Sequence, residues 1–320
     1  MQRPIQLRVI NIVKSLVENY YADFDEQLVG CLTRFARNVL TDKLSRQILA
    51  ILARQKSIST GPSVAHTKDY QFSELPPYPD VPKHIFSTRL SIWDISDLEI
   101  ARQLTLIEFS LFSAITPREL LRYAQCRSQS GGVDVLPVVE APHVAAVLAR
   151  FRATAKWVSG VLSSAAKGKE RARYLRRLVG IAQETLRLSN FNTLMALLTG
   201  LERHRGTDAG DELSTRYKRD WAQMEALLTE PDLYINTLLS RAPAIIPYVD
   251  WHLRKLQQIL ELVPGTKGPL VHWAKYKYLY AVASQLADYQ QTPYNLQPVA
   301  QIAVLLAWKE DDPRDEELRS

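Results

Sequence analysis

Ser96-Asp97-Leu98-Glu99-Ile100-Ala101-Arg102-Gln103-Leu104-Thr105-Leu106-Ile107-Glu108-Phe109-Ser110-Leu111-Phe112 is the stretch that decides the fold class. Ser96 followed three residues later by Glu99 is the pattern of a capping box, in which a hydroxyl and a carboxylate each accept a bond from an orphaned backbone N–H. Ile100, Ala101, Leu104, Ile107, Glu108, Leu111 and Phe112 then recur at helical spacing. All but Glu108 are apolar, so a helix with a buried stripe broken by one carboxylate is expected. Thr116-Pro117-Arg118-Glu119 repeats the box with proline at the first helical position, where its missing N–H costs nothing.

Outward from this stretch the same period continues. Upstream, Val9, Ile12, Val13, Leu16 and Val17, and then Leu28, Cys31, Leu32, Phe35, Val39 and Leu40, make residues 5–52 helical. The segment from Ser57 to Pro82 breaks the pattern with Gly61, Pro62, Pro76, Pro77, Pro79 and Pro82, and reads as an extended linker. Downstream, helices are expected over about 143–162, 169–188, 193–201, 213–228, 233–240, 248–262 and 269–290. Loops are expected over 128–142, which holds Gly131 and Gly132, and over 206–210. Asn190 and Asn192 are good caps for the helix from Thr193, which is apolar nearly all round and belongs in the core. No stretch alternates with period two, and no internal repeat is present. The fold class is all-α.

Composition narrows the function. The 320 residues carry 46% hydrophobic and 23% charged side chains, ordinary for a soluble globular protein, and only 12 glycines. Cys31 and Cys126 lie far apart and match no metal or redox spacing, which fits a reduced, cytosolic setting. No run reaches the roughly 18 apolar residues of a membrane span. Val299 to Trp308 comes closest and reads as a buried helix. Charges interrupt every apolar run of the first 30 residues, so no signal peptide is expected. The formal charge is +6 and unevenly spread. Arg150 to Gly180 holds nine Lys and Arg against one Glu, whereas Lys309 to Ser320 has six acidic and three basic residues. The basic stretch reads first as a solvated helix face, and second as a docking surface for an acidic protein or an anionic membrane. Aromatic residues are not interleaved with it, so nucleic acid is not an expected partner. There is no phosphate loop, dinucleotide fingerprint or nucleophile elbow. The histidines at 66, 84, 143, 204, 252 and 272 never pair at ligand spacing, so no metal and no cofactor is expected. A chain without bond-making machinery is expected to bind or to change a partner's conformation.

Four segments, read in order, resemble the catalytic domain of Ras-family guanine-nucleotide exchange factors, of which Son of sevenless is the best-known member. The first is Glu99 through Glu108 with Phe112 and Thr116-Pro117-Arg118-Glu119-Leu120. The second runs from Ile181-Ala182 through Leu188-Ser189-Asn190-Phe191-Asn192 to Leu198-Thr199-Gly200-Leu201. The third is Ile246-Pro247-Tyr248, and the fourth Tyr289-Gln290-Gln291-Thr292-Pro293-Tyr294-Asn295-Leu296. Leu7 to Lys14, Val17-Glu18-Asn19-Tyr20 and Asp23-Phe24 resemble the end of the helical exchanger module that precedes this domain. The organisation implied is that module over 1–56, a proline-rich linker over 57–82, the exchange domain over 83–308 and an acidic tail over 309–320.

The resemblance implies a protruding helical hairpin, here about Tyr248 to Gln290. It pries the first switch of a Ras-like GTPase aside and disturbs the Mg²⁺ and phosphate sites, while the rest of the domain grips the second switch. Arg254, Gln257 and Glu261 share one helix face and are the expected wedge, with Leu253, Leu256 and Leu260 packing inward. Glu202, Arg150, Arg152, Tyr248, Trp251 and Tyr234 are the candidate GTPase contacts. Location is expected to be cytoplasmic, with recruitment to the inner face of a membrane.

This chain departs from the family pattern in places. Glu202 stands where Asn is usual after Gly200-Leu201, and Arg203 to Leu213 replaces an Arg-Leu-x-x-Thr-Trp element. Arg150-Phe151-Arg152 replaces Arg-Phe-Asn, and Leu260-Glu261-Leu262-Val263-Pro264-Gly265 replaces the usual hairpin turn. Gln125 stands where Trp is common. Two further readings stay open: a degenerate relative that binds a small GTPase or scaffolds signalling without exchange, and a helical scaffold unrelated to GTPases.

Overall fold

The computed structural model describes residues 2–21, 24–40, 42–59, 70–130, 140–165, 168–202, 204 and 213–308. The expected loops at Gly131 and at 206–210, most of the element replaced over 203–213, and the acidic tail lie outside them. The chain folds as two compact units, Met1–Asp69 and Tyr70–Ser320.

The first unit holds helices α1 (Gln2–Asn19), α2 (Glu26–Val39) and α3 (Asp42–Ser59). Asp25 caps α2, its carboxylate accepting from Leu28 N at 2.7 Å. Ile10, Val17, Ala36, Ile48 and Leu52 form the core. Val9, Ile12 and Leu16 share the helical period but stay exposed. Gln55 ties α3 to α1 by donating to Glu18 O at 2.9 Å.

The second unit runs through α4 (Asp97–Phe112), α5 (Pro117–Gln129), α6 (Pro142–Ser164), α7 (Lys169–Arg187) and α8 (Phe191–Glu202). It continues with α9 (Thr215–Thr229), α10 (Pro231–Leu239), α11 (Val249–Leu262), α12 (Trp273–Tyr289) and α13 (Ala300–Leu305). The fold is all-α. The strands among the described residues are β1 (Thr266–Lys267) and β2 (Leu270–Val271), a two-residue ribbon joining α11 to α12. They displace the start of α12 from the expected 269 to Trp273, because Pro264, Gly265, Gly268 and Pro269 favour a tight turn over a helix. Gly268 adopts φ +60, the left-handed region that suits glycine.

Two apolar clusters organise this unit. One gathers α4, α7, α8, α9 and α10 with the inner side of α6. Its axis is α8, buried all round as expected, with Phe191, Leu194, Leu197 and Leu201 wholly buried. Gly200 lets α8 approach α6 closely, since a Cβ there would lie 2.6 Å from both Ala155 O and Val158 Cβ. The second cluster packs Val249, Leu253 and Leu256 of α11 and Leu279 and Leu286 of α12 against α5 and the start of α6.

The capping boxes came out unequally. At α5 both halves form: Thr116 Oγ1 accepts from Glu119 N, and Glu119 Oε2 accepts from Thr116 N at 3.0 Å. Glu119 also accepts from His143 N in the first turn of α6, so one carboxylate serves two helix starts. Burial raises its pKa, but the bonds from Thr116 and His143 outweigh it and hold the group below its usual value. At α4 only Ser96 caps, accepting from Glu99 N at 3.2 Å. The Glu99 carboxylate turns away to accept from Asp80 N at 3.0 Å and Gln103 Nε2 at 2.7 Å. The segment from Val299 to Trp308 is less buried than expected. Ile302 and Leu306 are covered, while Val304 stays 66% exposed.

Candidate functional site

The root of the α11–α12 hairpin is fastened by polar groups buried between helices. Leu188 and Ser189 end α7, with Ser189 in the left-handed region at φ 56. That turn aims Asn190 and Asn192 into the core, where both are buried. Asn190 is the true cap of α8: its Oδ1 accepts from Thr193 N at 3.1 Å, and its Nδ2 donates to Thr105 Oγ1 of α4. Asn192, expected to cap the same helix, does something else. Its Nδ2 donates to Glu108 Oε1 at 2.7 Å, and its Oδ1 accepts from Val249 N at 3.1 Å, the first residue of α11. Glu108, the one polar residue on the stripe of α4, is therefore the buried anchor of this linkage. Burial raises its pKa, while Arg150 and the bonds from Asn192 and Thr193 pull the other way.

The chain before α11 lies alongside this junction. Phe191 N donates to Ile246 O at 2.8 Å, and Ile246 N donates to Ser189 O at 3.1 Å. Tyr294 Oη donates to Leu188 O at 2.8 Å, and Gln290 Nε2 donates to Phe112 O and Ile115 O. The four segments singled out in the sequence thus meet at the base of the hairpin.

Three candidate contact residues form one aromatic group there. Tyr234 donates no bond to Tyr248 but accepts one, from Tyr248 N at 2.8 Å. The Tyr248 ring stacks on Phe151 at 5.7 Å, and Trp251 lies 5.8 Å from Tyr234. Tyr248 and Trp251 are half-buried, whereas Tyr234 is only 1% exposed. Burial, then the Asp250 charge, pushes the Tyr248 phenol up to about 12. Arg150 is also buried. Its Nη1 donates to Leu306 O at 2.7 Å, and its guanidinium lies over the Trp308 ring. Burial lowers its pKa to about 10. Arg150 and Tyr234 therefore hold elements together and are buried, unlike Arg152, which lies two residues on, turned to another side of α6, and is exposed. Glu202 is exposed at the far end of α8. At 1.5 Å per residue it lies about 17 Å along the helix from Phe191, so it does not join the aromatic group.

Along α11 the expected wedge divides. Arg254 turns back to pair with Asp250 at 2.7 Å, which also binds Arg127 at 2.6 Å. One turn on, Gln257 Nε2 donates to Glu261 Oε1 at 2.9 Å, with Glu261 exposed in the last turn. Leu253 and Leu256 are buried beneath, and Leu260 is half-buried. Beyond Glu261 the hairpin tip exposes Leu262, Leu270, Val271 and Trp273 at 79%, 69%, 62% and 70%. The sequence marks the replaced turn from Leu260 to Gly265 but carries no motif for the exposed apolar side chains beyond it. The tip's signal is the absence of any acidic residue from Leu262 to Ala287, against three lysines.

His252 faces inward on α11 with no exposed surface; Tyr248 O lies 3.2 Å from Nδ1, and Nε2 has no hydrogen-bond partner. Burial draws its pKa from 6.5 to about 4, against a smaller upward pull from the Tyr248 carbonyl. The unfolded chain thus takes up a proton that the folded chain refuses between these values. The stability this neutral ring contributes is whole above pH 6.5 and lost as pH falls toward 4. The drop in Tm between pH 7 and pH 4.5 is expected to be smaller in His252→Gln than in the parent. Equal drops would assign the acid sensitivity to another group.

Among the described residues no cluster of three metal-ligating side chains occurs, and no helix is long and apolar enough to cross a membrane. Residues 99–277, more than half of the chain, match the RasGEF domain. Ras guanine nucleotide exchange factor A of Dictyostelium discoideum is 34% identical over 316 residues, covering 95% of this chain and 51% of the relative. Factors J and I of the same organism are 32% and 31% identical, covering 95% and 94% of this chain and 38% and 36% of the relatives. The chain spans about half the length of the first of these relatives and less of the other two. The buried linkage among Glu108, Asn192 and Val249 falls inside the matched region, and the chain belongs to the RasGEF family.

Proposed function

We propose that this chain is a guanine-nucleotide exchange factor for a Ras-like small GTPase. It would act by conformational change, without making or breaking a covalent bond. The observation that carries the reading is the hairpin: its root is locked to α4 and α8 through Asn192, and its outer turn carries an exposed Glu261 bonded to the half-buried Gln257. A rigid root lets force at the tip open a partner's nucleotide site without bending the lever. Glu261, supported by Gln257, is the group proposed to face the phosphate and Mg²⁺ sites. Arg254 holds the face through Asp250. Tyr248, Trp251, Arg152 and Glu202 are the proposed contacts of the second switch, with Tyr234 and Arg150 shaping the surface from beneath. The functional divisions proposed are a helical module over 1–56, a linker over 57–82, the exchange domain over 83–308 and an acidic tail. Work at the cytoplasmic face of a membrane is part of the same proposal.

Exchange by this route requires differential affinity, since a ligand that binds two states equally shifts neither. Moving a site from 1% to 99% open takes about a 10⁴-fold preference. The chain is expected to co-elute with nucleotide-free GTPase on size exclusion and to leave the Mg²⁺–GDP form unbound. Equal retention of both forms would remove the exchange mechanism. It would favour the second reading, binding without exchange, which the carboxylate of Glu202 in place of the family's Asn supports.

A further inference from the structure

We propose that Leu75-Pro76-Pro77-Tyr78-Pro79 is a preformed polyproline II ligand for an aromatic-grooved module of the WW type. This surface is separate from the hairpin and goes beyond the exchange reading.

The backbone is constrained almost residue by residue. Pro76, Pro77, Pro79 and Pro82 fix their own φ near −65°. Leu75, Tyr78 and Val81 each precede a proline and are pushed to extended conformations. Only Asp80 escapes both restrictions. Residues 75–82 accordingly form neither helix nor strand. Three bonds hold the segment along its length: Asn295 Nδ2 donates to Glu74 O at 2.9 Å, Arg102 Nη1 to Tyr78 O at 3.3 Å, and Asp80 N to Glu99 Oε2 at 3.0 Å.

Exposure follows the three-residue period of a polyproline II helix. Pro76, Pro79 and Pro82 are half-buried. Leu75, Tyr78 and Val81 are 92%, 90% and 40% exposed. Leu75 and Tyr78 therefore stand one turn apart, about 9 Å at 3.1 Å per residue. The Pro76–Pro79 pair, which a reader of spaced prolines would grip, is turned inward. What remains open is Leu75, Pro77 and Tyr78 on a stiff backbone, followed by Asp80. Grooves lined with aromatic rings take such ligands at low entropic cost, because the conformation is already formed. From Tyr70 to Pro82 there are two acidic residues, Glu74 and Asp80, and no basic ones. The complementary groove is thus neutral or basic at its rim.

Fluorescently labelled WW-type and SH3-type modules titrated with the full chain, read by anisotropy, test this. Saturable binding to a WW-type module is expected. Leu75→Ala and Tyr78→Ala should each weaken it at least about tenfold, as anchor residues do. Both side chains are exposed, so Tm and nucleotide release should match the parent. The proposal is overturned if no WW-type module binds, if only SH3-type modules bind, or if binding survives Tyr78→Ala. It is equally overturned if both variants lose nucleotide release, which would make the segment part of the GTPase contact.

Discussion

Glu261→Lys is expected to melt like the parent and to lose most nucleotide release. Glu261 is exposed, and within the fold it accepts one bond, from Gln257. Surface changes of this kind usually move stability by no more than about 0.5 kcal/mol. The carboxylate also sits in the last turn of α11, the helix end that favours cations, where a lysine gains a few tenths of a kcal/mol. The native charge is thus opposite to the one that helix stability alone would select. In its proposed position facing a nucleotide site, that carboxylate would repel phosphate and compete for the groups holding it. A lysine would attract the leaving phosphates and put a cation beside the Mg²⁺ site. Weak binding through the second-switch surface should remain. Release at the parental rate would show that the hairpin tip is not the wedge.

Asn192→Ala is expected to cost about 2–4 kcal/mol, because it strips two buried groups of partners at once. Glu108 loses one of its donors in a site where burial already disfavours its charge, and Val249 N loses its acceptor. Asn190→Ala removes a helix cap and should cost nearer 1 kcal/mol, typical of caps. Urea unfolding of both variants compares them directly. A smaller loss at Asn192 than at Asn190 would mean that the linkage from α4 to α11 does not stabilise the hairpin root. If that root is the fulcrum, as proposed, Asn192→Ala should also slow release at temperatures where it stays folded.

Helical period and caps made the fold class legible, because apolar spacing and end signals are local properties. The box at Thr116 and Glu119 formed in full, and α8 is buried all round as its composition demanded. Glu108 was visible only as an interruption in a stripe. Its partners lie 84 and 85 residues away, and no local pattern points to them. The burial of Arg150 was hidden for a similar reason. An arginine in a basic stretch reads as surface, but its acceptors come from the chain 156 and 158 residues later. The ribbon between α11 and α12 escaped the period argument because two-residue strands are too short to alternate. Its glycines and prolines were the available sign.

Release of fluorescent GDP from Ras-, Rap-, Ral- and Rho-type GTPases, with and without the parent chain, tests whether this hairpin opens a nucleotide site. The exchange reading predicts that release from at least one Ras-like GTPase accelerates with chain concentration and that Glu261→Lys removes the acceleration. Unchanged release across the whole panel, from GTPases that nevertheless bind the chain, would contradict it.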